Sequence, residues 1–330
     1  MHKEVNMLRR GFVTTVMASP FAGPLSVFAQ SDEFPRKPMT IIVGTSAGSL
    51  SDQYMRGLAE IASKYFNNEP FIIENKPGAG ATMGVRAFAR MGKGDGYTIA
   101  QTYVPWVRIP IIEQVDFDPF RDVTWIVGAY ATTFGVVVAT GSRFKTLKDV
   151  LDAAKSAPDT ISFGTVGTIS AGRMIVEMLT QANGGGKLIH VPFKGAADAS
   201  AALLGNHVDM LVDTIFLTPQ IRAGKARMLA TFGDERLSGF PDVPTARELG
   251  HPVTLLSEVG IAGPKNMDPN IVQRLHDGFK KAMDEPAHKA LLEKYELIGW
   301  YKNSADFTAA MKAISAREKS LADQLGWTKK

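Results

Sequence analysis

Short apolar runs alternate along this chain with stretches whose apolar positions recur every three to four residues, a pattern that predicts strands each followed by a helix. Ile41-Ile42-Val43 reads as a first buried strand and residues 52–64 as its helix. Further strands are predicted at 71–73 and 97–103, with a helix over 81–91 between them, where Val85 and Phe88 share a face. Residues 125–139 give two apolar runs, read as buried strands. Thr146 opens a helix, with Asp149 three residues on as capping-box partner. Pro158 closes it. A second series follows: strand 161–164, helix 171–182, strand 188–193, helix 197–204, strand 208–212, short helix 218–223, and strands at 228–232 and 253–262. Asp268-Pro269, an N-cap followed by proline at the first helical position, begins a helical ending over 270–285, 287–297 and 305–325. Alternating strands and helices predict parallel α/β sheets with right-handed crossovers.

The pattern resolves into two α/β lobes. The apolar, uncharged stretches near Phe134 and Leu256 suit the two connections between them. Each lobe carries a strand, a loop of small residues and a helix. The first loop holds Thr45, Ser46, Ala47, Gly48, Ser49 and Ser51; the second holds Thr165, Val166, Gly167, Thr168 and Ser170. Such a turn aims unpaired backbone N–H groups, reinforced by the helix dipole, at one spot and makes an anion site. One loop alone is an ordinary βα turn. Two in separate lobes favour a ligand clamp in the crevice at the carboxyl ends of the strands, where Thr102 also falls.

Length and composition narrow the options. At 330 residues a two-domain protein is expected. The net charge is +4, of which residues 1–29 carry +2 through Lys3, Arg9 and Arg10 against Glu4, leaving 34 basic and 32 acidic residues beyond. That balance argues against a nucleic-acid or membrane-surface footprint. The absence of cysteine excludes thiol catalysis, disulfides and Cys-zinc sites. Arg9-Arg10-Gly11-Phe12, an apolar stretch and Val27-Phe28-Ala29 form a signal-peptide layout over 1–29, of secretory or twin-arginine type. The mature protein is therefore expected in the periplasm.

Two motifs imitate other chemistries. Gly44-Thr45-Ser46-Ala47-Gly48 matches the nucleophile elbow of serine hydrolases, but it sits at the first strand and no histidine has an evident partner. Gly78-Ala79-Gly80-Ala81-Thr82-Met83-Gly84 is one residue too long for a dinucleotide fingerprint. No spacing of His, Asp and Glu suggests a metal, and no cofactor is expected. Among the tryptophans, Trp106 follows a strand end and is kept as a ligand platform.

Phe34-Pro35-Arg36-Lys37-Pro38, Glu74-Asn75-Lys76-Pro77-Gly78-Ala79-Gly80, Asp95-Gly96-Tyr97-Thr98, Asp116-Phe117-Asp118-Pro119, His190-Val191-Pro192-Phe193-Lys194-Gly195, Val208-Asp209-Met210, Ile221-Arg222-Ala223-Gly224-Lys225 and Phe240-Pro241-Asp242-Val243-Pro244-Thr245 resemble the Bug family in order and across the mature chain. These are solute receptors of tripartite tricarboxylate transporters. The resemblance implies a two-lobe Venus-flytrap fold, type II-like, with two crossing strands. Lobe 1 would span 30–131 and 256–330, and lobe 2 would span 132–255. It also implies a monomer, a small carboxylate ligand held by both loops, Asp213 and Thr214 facing the cleft, and membrane permease partners. A sensing receptor for a membrane signalling protein is the alternative, a secreted serine hydrolase the third. Departures stand at Thr45, Thr214 and Glu258, where the family often has an aromatic, an asparagine and an aromatic. A carboxylate at Glu258 would disfavour an anionic tail, unless it points to solvent or pairs with a cation.

Overall fold

The computed structural model describes residues 34–78, 84, 88–89 and 93–329. The export segment over 1–29 and most of the predicted helix over 81–91, with residues 79–80 leading into it, lie outside the described residues.

Strand β1 (Met39–Val43) pairs in parallel with β2 (Phe71–Asn75) and β3 (Thr98–Gln101). At the other edge of β3 lies β9 (Leu256–Pro264), antiparallel, and β9 runs in turn along β4 (Val123–Ala139) from Val123 opposite Pro264 to Thr133 opposite Leu256. One residue further β4 changes partners. Residues 134–137 face β7 (Met210–Thr214), and 135–139 face β8 (Ala226–Thr231). Parallel pairing then continues from β7 to β5 (Ser162–Val166) and from β5 to β6 (Ile189–Phe193). A last strand, β10 (Ile298–Lys302), joins β4 beside residues 128–131.

The expected crossing strands are therefore β4 and β9. Phe232 N donates to Phe134 O at 3.0 Å and Leu255 N to Phe232 O at 2.9 Å, so the outward and return crossings lie side by side. Two details correct the sequence reading. Residues 123–139 form one 17-residue strand, not two runs, and all but Thr124 are buried. The sheet is also mixed, because β4 is antiparallel to each of its partners. Burial along β4 explains its lack of charge, since an ionised side chain there would lose its hydration.

The helices are α1 (Leu50–Ser63), α2 (Pro105–Ile112), α3 (Leu147–Ser156), α4 (Ala171–Ala182), α5 (Ala196–Leu204), α6 (Thr218–Arg222), α7 (Pro269–Met283), α8 (Pro286–Lys294) and α9 (Ser304–Gln324). Their starts follow their caps. Thr146 and Asp149 exchange both capping-box bonds, and Asp268 accepts from Asn270 N at 2.7 Å. The apolar faces of these helices pack into separate cores. One, with Phe66, Tyr54 and Phe279, is built only from residues before 131 and after 258. Another, with Phe163, Ile175 and Phe232, draws its buried members from 134–255. Trp106 is buried against Phe117 and Trp125, so it packs a core and is no ligand platform.

Candidate functional site

The chain leaves β1 at Val43 and turns through residues 44–49 into α1. Gly48 takes φ +78°, and a Cβ there would meet nothing within 4 Å, so backbone conformation alone calls for glycine. The turn is held from below by Asp52, only 2% exposed. Asp52 accepts the Gly48 N–H at 2.8 Å, the Asn75 amide at 2.9 Å and the Arg56 Nε–H at 3.1 Å. Asn75 donates as well to Thr45 O at 3.0 Å. Burial pushes the Asp52 carboxyl up, but these bonds and the Arg56 charge outweigh it and hold the group below its ordinary value. Ser49 caps α1, accepting from Asp52 N at 3.4 Å, and shares a 2.7 Å bond with the Thr45 hydroxyl. With Gly48 N–H and Ser49 N–H engaged inside the turn, the exposed residues Ser46 and Ala47 form its tip. Beneath it, Tyr130 donates to the Ser51 hydroxyl at 3.4 Å and Gln101 Nε2 to Ser51 O at 3.3 Å. Burial raises the Tyr103 and Tyr130 hydroxyls well above their usual range, so both stay neutral.

The second loop repeats the device. Gly167 takes φ +88° in open space and donates to Phe193 O at 2.9 Å. Ser170 caps α4 at Arg173 N, 3.2 Å away, and Thr168 is exposed. Thr165 is fully buried; its hydroxyl donates to Gly167 O at 2.9 Å and shares a 2.7 Å bond with His190 Nε2. The brace is Asp213, which accepts Val166 N–H and Thr214 N–H, both at 2.7 Å, and the Thr214 hydroxyl at 3.4 Å. Burial pushes its carboxyl up to about 6, only partly offset by those donors. His190 is held down to about 4 by burial and by the nearby Arg173 charge, so it is neutral at neutral pH.

The predicted residues thus gather into two loop clusters, with Asp213 and Thr214 joined to the second. The first loop also reaches across: Ser46 Oγ lies 3.5 Å from where a Cβ on Gly195, the N-cap of α5, would stand. Two residues are engaged elsewhere. Thr102 is buried and accepts Gly260 N–H at 2.9 Å, stitching the end of β3 to β9. Glu258 takes the cation-paired alternative, with Arg317 at 3.1 and 3.3 Å. That pairing continues inward, since Arg317 also meets Glu318, which Arg108 bonds in turn. Sequence reading missed the braces Asp52 and Asn75, the buried Gln101, Tyr103 and Tyr130, and the half-buried His190. Of these, Asp52 left a signal, an acid in the first turn of a helix.

The described bonds of the histidines lead away from Ser46: His190 to Thr165, His276 to Asp277 and Tyr301, His288 to Tyr54. Among the described residues no group of three His, Asp or Glu side chains stands ready for a metal.

Two braced βα loops in two lobes joined by paired crossing strands define a Venus-flytrap solute receptor. The chain belongs to the tripartite tricarboxylate transporter family of receptors, whose family pattern matches residues 54–327. It is 35% identical over 324 residues to a Cupriavidus necator protein described as the UPF0065 protein in the gbd 5' region, covering 98% of each chain. The structure of the periplasmic binding protein BugD is 25% identical and superposes with a TM-score of 0.83 over 90% of this chain and all of that one. At 21% identity, the R. palustris protein Rpa4515, solved with adipate, shares the fold with a TM-score of 0.83 over 89% of this chain and 99% of that one.

Proposed function

We propose that this receptor captures a small organic anion, a carboxylate, between residues 44–51 and 164–170, and delivers it as a monomer to the membrane permease subunits of a tripartite tricarboxylate-type transporter. The lobes divide two residues before the change of partners in β4, with 30–131 and 256–330 in one and 132–255 in the other. An export segment over 1–29 takes the chain to the periplasm. The observation that carries this reading is the pair of serine-capped helix starts behind glycine turns, one per lobe, with the tip of the first reaching the opposite lobe. The adipate held by a protein of the same fold supports the ligand class.

Ligand binding closes such a receptor only through contacts that are better in the closed state, which contact with both loops supplies. Each helix start contributes ~0.3–1 kcal/mol toward a carboxylate. Micromolar affinity needs about 8 kcal/mol, so the loop hydroxyls and apolar contacts to the ligand body supply most of it. A thermal-shift screen against mono-, di- and aromatic carboxylates, followed by calorimetry on protein refolded to strip bound ligand, tests the reading. At least one carboxylate raises the melting temperature and titrates with one site. Silence in both assays overturns it.

A further inference from the structure

Glu296 lies between α8 and β10, in the lobe of the first loop, with φ +54°. Its side chain is 3% exposed, yet both partners of its carboxylate belong to the other lobe. Arg222 at the end of α6 meets Oε1 at 2.5 Å, and Gly239 N–H donates to Oε2 at 3.0 Å. A Cβ on Gly239 would fall 1.9 Å from Oε1, so the approach depends on glycine there. The guanidinium also lies over the Phe240 ring, 5.7 Å from its centre. The preceding residue looks the other way. Tyr295 donates to Gln53 Oε1 at 3.1 Å, and Gln53 Nε2 donates to Gly48 O at 2.8 Å. Two adjacent residues therefore connect the turn of the first loop, through one glutamine, to a buried contact between lobes.

We propose that the Tyr295–Glu296 corner is a clasp that couples the state of the first ligand loop to closure of the two lobes. The coupling half rests on capture of an anion by that loop; the clasp half does not. In the closed arrangement Glu296 gains a charge-assisted bond and a backbone N–H that an opened cleft replaces with water. Contacts present in only one of two states weight that state. Gln53 fixes Gly48 O, so a ligand that orders the turn also orders the Tyr295 end of the corner.

The chain has no cysteine, so spin labels go onto Lys148→Cys and Lys289→Cys, at side chains 80% and 81% exposed in different lobes. Pulsed electron resonance on ligand-free protein gives the distance distribution between them. Glu296→Gln, which keeps size and an acceptor for Gly239, shifts it toward longer or broader separations, and Arg222→Ala at a half-exposed cation does the same without a further shift in the double variant. Unchanged distributions in both variants overturn the clasp, whatever the protein binds. Adipate is the titrant for the coupling half, with the strongest binder of the carboxylate screen in its place where adipate does not bind. Its Kd rises roughly 3- to 10-fold in Glu296→Gln and in Tyr295→Phe. Equal affinity in Tyr295→Phe and the unaltered protein overturns the coupling, while a protein that binds no carboxylate overturns the proposed function and leaves the distance result to decide the clasp.

Discussion

The two candidate ligand loops are built alike and charged differently. Each ends a parallel strand, turns at a glycine with positive φ, caps its helix with serine and leans on a carboxylate that accepts a loop N–H. In the first, Asp52 is surrounded by Arg56 and Asn75 and stays ionised. In the second, Asp213 has only backbone N–H groups and the Thr214 hydroxyl as donors in the described bonds, and burial raises its carboxyl to about 6. The same geometric task, holding a turn in one shape, is thus met once with a neutralised charge and once with a charge that burial disfavours. The first brace is bound up with fold stability. The second couples its loop to pH.

Removing the braces separates these roles. Asp52→Ala strands the Gly48 N–H and removes the carboxylate shared by Asn75 and Arg56, which keep only Thr45 O and Asn75 Oδ1 as acceptors, and it lowers unfolding free energy in urea by about 2–3 kcal/mol. Asp213→Ala costs less, about 1–2 kcal/mol at pH 7.5, because the lost acceptor is offset by removal of a disfavoured charge. Equal losses at the two positions would erase the contrast.

The pH dependence sharpens it. An acid whose folded value lies above its unfolded value of about 3.9 binds more protons when folded, so it subtracts stability as pH rises between the two values and by a constant amount above both. Wild type therefore loses stability relative to Asp213→Asn from about pH 4 to about pH 6. Asp52 acts with the opposite sign, its contribution present above the unfolded value and lost as pH falls through the lower folded one. Denaturant midpoints across that window check the Asp213 slope, and midpoints below about pH 4 the Asp52 slope; a flat difference between wild type and Asp213→Asn contradicts the charge assigned to the second loop.

The glycines should not differ. Gly48→Ala and Gly167→Ala each force a side chain into left-handed backbone with open space around it, at about 1–2 kcal/mol. A much larger cost at one of them would show a packing role that the other lacks.

Most of the scaffold was legible because periodicity and caps are local. Asp268-Pro269 and the Thr146–Asp149 box marked their helices within a residue. Two elements were missed for local reasons too. Helix α2 begins at Pro105 and contains Pro110, which reads as loop, and β10 exposes most of its five residues and shows no alternation to find. Strand direction was misjudged where β4 and β9 cross, since direction is set by tertiary pairing. The loops were found from their own small residues. The Asp52–Asn75 brace escaped because its members are far apart along the chain, 23 residues; Asp213 was named as facing the cleft, but its bond to Val166, 47 residues away, left no trace in the sequence. Glu258 shows the same limit, for its partner Arg317 lies 59 residues away on α9.

The clamp itself is tested most directly by amide chemical-shift changes as the strongest binder from the carboxylate screen is titrated into labelled, ligand-stripped protein. Shared capture predicts saturating shifts in both 44–51 and 164–170, with one common Kd. Shifts confined to one loop, or to neither, contradict it.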